Sequence, residues 1–169
     1  VPKPEFGIRV VKNAYLGAHK MKNIVICCDG TSNDISGAPT NVLRCYRSLV
    51  RDDSQLTYYD SGVGTLPDPS MLTDPGKAIG MKLDMAVGYS VKDQACKAYR
   101  FLTRHWEAND QIYLIGFSRG SYAVRALAGM VHAVGLVRQE LEHLDELAWS
   151  VYSSADFLAC SNFKFAFSR

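Results

Sequence analysis

Apolar residues along this chain fall into two patterns, unbroken short runs and runs spaced by three and four. Asn23-Ile24-Val25-Ile26-Cys27-Cys28 is a continuous apolar run, as a strand covered on both faces requires. Leu56-Thr57-Tyr58-Tyr59, rich in β-formers, predicts a second strand, and Ile112-Tyr113-Leu114-Ile115 a third. Between them the period changes. Val42, Cys45, Tyr46 and Leu49 share a helical face behind Thr40 or Asn41, either of which can cap it, and Asp52-Asp53-Ser54 ends the segment. Lys77 to Val87 predicts a short helix. A longer one opens at Ser90, with Asp93 as a capping-box-like partner and an inner face of Val91, Ala95, Ala98, Leu102 and Trp106. Tyr122 to Val134 is an alanine-rich helix stopped by Gly135. Leu141, Leu144, Leu147, Ala148 and Val151 mark another amphipathic stretch, and Phe163-Lys164-Phe165-Ala166-Phe167 alternates. Strand, helix, strand, helix, strand, helix means a parallel sheet with right-handed crossovers.

Composition narrows the class. The chain has 169 residues, enough for one domain with a core, and 47% of them are hydrophobic. Residues 1–22 form a lead-in with two early prolines, and residues 23–169 the domain. A net charge of +2 from scattered basic residues gives no case for nucleic acid. No apolar run approaches membrane-spanning length, and no signal peptide is evident. Cys27, Cys28, Cys45, Cys96 and Cys160 are odd in number and lack any C-x-x-C, which argues against a disulfide framework and a zinc site. Small buried thiols suit a reducing compartment, and the expected location is cytoplasmic. No metal or cofactor is expected.

The chemistry gathers at Gly116-Phe117-Ser118-Arg119-Gly120. A G-x-S-x-G turn between an apolar strand and a helix is the context of a nucleophile elbow. A serine in a strained backbone conformation needs neighbours without a β-carbon, so that the helix can pass close to the strand. The plain alternative is a serine that merely caps the helix. Asp29-Gly30-Thr31 closes the first strand. A carboxylate-nucleophile phosphatase would need an acid two residues before Asp29, where Cys27 stands. Gly62-Val63-Gly64 lacks the third glycine and helix of a dinucleotide site and reads as a flexible wall. It belongs to a long loop, Asp60 to Gly80, with three prolines and four glycines. Tyr58, Tyr59, Phe101 and Trp106 read as core, and Arg119 and Arg125 as helix-surface arginines facing water.

Four stretches carry a family resemblance. They are Ile24 to Asn33 through Asp29-Gly30-Thr31, Tyr59-Asp60-Ser61-Gly62-Val63-Gly64-Thr65, Ala98-Tyr99-Arg100-Phe101-Leu102, and Asp110 to Met130 around the elbow. The chain resembles the catalytic domain of the type VI secretion phospholipase-effector-like α/β hydrolases, in a fungal-looking branch. The resemblance implies a partial α/β-hydrolase fold, its three core strands ordered 2-1-3 and flanked by helices. It implies a Ser–Asp–His esterase or phospholipase-like enzyme acting on lipid or related esters. Ser118 matches the nucleophile and Gly116 and Gly120 the elbow glycines. The Arg119 N–H matches one oxyanion donor, with Gly30 or Thr31 N–H as the second, and Asp29 supports that loop.

The family carries its acid and histidine after the serine, and this chain ends before either. His132 lies about 20 Å along the helix that leaves the elbow. His143 sits among acidic residues, and His19 and His105 match nothing. The expectation is a truncated hydrolase domain, weakly active alone. The rival is a non-catalytic hydrolase-derived module that self-associates or pairs with another chain. In either case the third strand is an edge. It is expected to pair with another copy, a complementing chain or the alternating tail.

Overall fold

The computed structural model describes residues 21–30, 39–62 and 78–169, with 78–87 as helical backbone. The central strand β1, Asn23–Cys28, is flanked by β2, Gln55–Asp60, and β3, Gln111–Gly116. Both pairings are parallel, as the alternation of elements predicted, and in the order β2-β1-β3 that the resemblance implied. The helices are α1, Asn41–Ser48; α2, Ala78–His105; α3, Arg119–Val134; α4, Asp145–Ser153; and α5, Phe157–Phe167. A 3-10 turn over Gln139–Leu144 leads into α4.

β1 is buried on both faces because each has its own helical cover. Val25 and Cys27 pack with Val42 and Leu49 of the α1 segment. Ile24, Ile26 and Cys28 pack with Ala98, Tyr99 and Leu102 of α2 and Val124, Leu127 and Met130 of α3. Each fully buried aliphatic side chain contributes about 1.5–3 kcal/mol. α1 starts where the sequence capped it: Thr40 Oγ1 accepts the Leu43 N–H at 3.0 Å. Tyr99 ties α2 to the end of α3. Its hydroxyl donates to Gly135 O at 2.8 Å and accepts the Val137 N–H at 3.2 Å. Tyr58, Phe101 and Trp106 pack against the larger core cluster, and Tyr59 against the smaller. All five cysteines are free, and four are buried. Among the described residues no helix is long and apolar enough to cross a membrane.

Two expectations are corrected. The first is the break at Ser90. α2 runs unbroken through Gly88 and Ser90, and Asp93 bonds not back to a cap but forward to Lys97, at 2.7 Å. No proline interrupts 78–105, so Gly88 is a cost the helix absorbs. The second is the tail. Phe163–Phe167 is the end of α5 and does not pair with β3. Asp156 caps α5, accepting from Leu158 N–H at 2.9 Å and Ala159 N–H at 3.1 Å. Phe163 and Phe167 then meet one turn apart, with ring centroids 5.0 Å from each other. Most of the long loop, residues 63–77, and the lead-in to residue 20 lie outside the described residues.

Candidate active site

Parallel strands in register end level. Cys28 stands opposite Asp60 on one side and Gly116 on the other. The segments that leave the sheet, Asp29-Gly30, Ser61-Gly62 and Phe117-Ser118, therefore emerge side by side at its carboxyl end. Backbone bonds stitch them together: Asp29 N–H donates to Asp60 O at 2.8 Å, and Phe117 N–H to Cys28 O at 3.1 Å.

Ser118 has φ 52° and ψ −126°, a conformation that costs a residue with a side chain about 1–3 kcal/mol. A tight turn holds it there. Phe117 O accepts the Gly120 N–H, and Ser118 O the Ser121 N–H, each at 2.9 Å. The hydroxyl makes no capping bond to α3, so the plain capping reading of this serine is excluded. The side chain is exposed. The glycines on either side are there for close approach. A Cβ on Gly116 would lie 2.6 Å from Gly120 O, and one on Gly120 2.1 Å from Cys28 O. Either contact would push α3 off the strands. As the first residue of α3, Arg119 presents a backbone N–H with no intrahelical acceptor.

The β1 exit is fixed by Asp29, whose side chain is wholly buried. Its Oδ1 accepts the Gly30 N–H at 2.9 Å, and its Oδ2 accepts the Tyr59 hydroxyl at 3.0 Å and the Thr40 hydroxyl. The Gly30 N–H, one of the two donors the sequence offered, is thus engaged by Asp29. Gly30 lies against the serine: a Cβ there would stand 2.9 Å from Ser118 Cβ and 3.4 Å from Ser118 Oγ. Thr31, the other donor, lies outside the described residues.

A second polar knot joins the β2 exit to the same place. Asp60 Oδ1 accepts the Gly62 N–H at 2.8 Å and Gln94 Nε2 at 3.1 Å, and Gln94 Nε2 also reaches Asp29 O at 3.1 Å. Arg119 does not face water as its position on a helix suggested. It is 7% exposed, and its Nη2 donates to Gly62 O at 2.6 Å. Arg125 is exposed. Burial lowers the Arg119 pKa, and Asp60 opposes that shift. Sequence reasoning missed Gln94, although a polar residue on the apolar stripe of α2 was a signal. For the Arg119 side chain there was none, because its acceptor is a backbone oxygen.

Other reactive groups lie elsewhere. His132 is exposed near the far end of α3. His143 is exposed beside Glu142, which pairs with Arg104 near the C-terminus of α2, away from the strand exits. His105 packs its ring tilted against Phe101 in the last turn of α2, where burial lowers its pKa. His19 lies outside the described residues. Burial pushes the Cys27, Cys28 and Cys96 thiols up to about 12, which leaves them protonated and unreactive. Among the described residues no cluster of His, Cys, Asp or Glu could hold a metal ion.

The model of the family described as "T6SS, Phospholipase effector Tle1-like, catalytic domain" matches residues 22–165. The chain belongs to this family. The Tle1-like match takes in all three strands and all the strand exits. The chain is also 35% identical over 144 residues to an uncharacterized Saccharomyces cerevisiae protein, YEL023C. That alignment covers 80% of this chain and 21% of the yeast protein, so this Tle1-like chain corresponds to about a fifth of its relative. No solved structure matches significantly.

Proposed function

We propose that this chain is the nucleophile-bearing part of a serine ester hydrolase whose substrates are lipids or related carboxylic esters. Membership of a phospholipase-effector catalytic family supports the substrate class. The observation that carries the chemistry is Ser118: exposed, uncapped and held at φ 52° beside Gly30. Ser118 Oγ attacks the ester carbonyl. The Arg119 N–H donates to the oxyanion, and since Asp29 engages the Gly30 N–H, Thr31 is the better second donor. Removing one such donor typically costs about 3–4 kcal/mol of transition-state stabilisation. No described histidine supports the role of general base. On this reading the acid and base are supplied from outside the described residues, and the described residues alone are weakly active.

A second reading, a hydrolase-derived module without turnover, is favoured by the same shortage of a base. It is also favoured by β3, which has a strand on one side only among the described residues. Under both readings the free side of β3 is occupied by another copy or a complementing chain. A fluorophosphonate probe separates the two. Labelling of Ser118, abolished in Ser118→Ala, is the expected result. Absence of labelling in every assembly state would leave only the non-catalytic module.

A further inference from the structure

The residue after the serine does something its backbone does not account for. Arg119 is 7% exposed, and its guanidinium crosses from the start of α3 to Gly62 O at 2.6 Å. Its Nε is buried and has no partner among the described residues, so Gly62 is where the side chain is held. Gly62 sits at φ +68°, and a Cβ on it would lie 2.5 Å from both Asp29 O and Gly30 O. The β2 exit is thus pressed directly onto the β1 exit. Gly30 in turn abuts Ser118. The contacts close a ring: Ser118, Arg119, Gly62, Gly30 and back to Ser118. A charge-assisted hydrogen bond across that ring is about twice as strong as a neutral one.

We propose that the Arg119 side chain is a positioning residue. By gripping Gly62 O it holds the β2 exit down on Asp29-Gly30, and so sets the spacing between the β1 exit loop and Ser118 Oγ. The arrangement rests on the reading of Ser118 as nucleophile. A spacing error of about 1 Å at a reacting centre can cost about 100-fold.

The test is the rate and stoichiometry of fluorophosphonate labelling in the full chain, in the assembly state in which the unaltered protein is labelled. Arg119→Gln is expected to label about 100-fold more slowly, yet to reach the same final stoichiometry. Arg119→Lys, which keeps one charged donor for Gly62 O, is expected to recover about tenfold of that loss. A structural role alone would lower the labelled fraction and leave the rate constant unchanged, and that result overturns the proposal. So does a Gln variant that labels at the original rate, or a Lys variant no faster than Gln. If Arg119→Gln fails to fold, Arg119→Lys carries the test: labelling slowed about tenfold supports the proposal, and unslowed labelling overturns it. If the unaltered protein is not labelled at all, it is the hydrolase reading that fails.

Discussion

Ser118 concentrates the conflict between stability and chemistry in one residue. Its φ of 52° is one that L side chains rarely adopt, and its hydroxyl makes no cap bond in return. Ser118→Gly is therefore expected to stabilise the fold by about 1 kcal/mol, read as a rise of roughly 2–4 °C in the midpoint of thermal unfolding. An unchanged or lower midpoint would mean that the turn stores no strain. Gly116 was legible in sequence because its reason is local, the approach of Gly120 O, whereas Gly120 is pressed on distant Cys28 O and was legible only through the G-x-S-x-G pattern. The Arg119 side chain was not, since its acceptor lies 57 positions away and is a carbonyl that any residue would provide.

Among the elements, β1 was legible to the residue, because burial on two faces leaves an apolar run that has no helical interpretation at that length. α2 and α5 were not. Ser90 followed by Asp93 matches a capping signature, but a signature does not forbid continuation, and nothing between Ala78 and His105 does either. Gly88 offers a check. It is exposed, and a Cβ built on it meets nothing within 4 Å. In one continuous helix Gly88→Ala should add about 0.5–1 kcal/mol in urea unfolding. A break ahead of Ser90 would leave Gly88 outside a helix and remove that gain. In α5, Phe163, Phe165 and Phe167 satisfy an alternating period, while Phe163 and Phe167 equally satisfy a helical one. Five residues cannot separate the two, and the deciding signal, the Asp156 cap, lies seven residues upstream of Phe163.

At the scale of the molecule, β2 and β3 each have a strand on one side only among the described residues, and both are only partly covered. Ile112–Gly116 are only partly covered, and α5, once a candidate to cover them, packs on α3 instead. An edge with half-covered apolar side chains and unpaired backbone groups is a template for association. Sedimentation of the chain is expected to show self-association, or a stoichiometric complex when a complementing chain is supplied. A monomer that remains soluble and unassociated would refute edge pairing. The parallel sheet was legible from the alternation of elements alone. The polar knot of Asp29, Asp60, Gln94 and Arg119 was not, because it exists only once three strand exits have been brought together.

The order of the sheet also has a consequence in time. β1 comes first in sequence but sits in the middle in space, and its second neighbour, β3, begins some 80 residues later. At about 5–20 residues per second, a ribosome needs several seconds after finishing Cys28 to deliver Gln111. Throughout that interval β2, α1 and finally α2 can reach β1, but its second edge has no strand to pair with. During synthesis, then, the β3-facing edge of Asn23–Cys28 is the part of this strand left open longest.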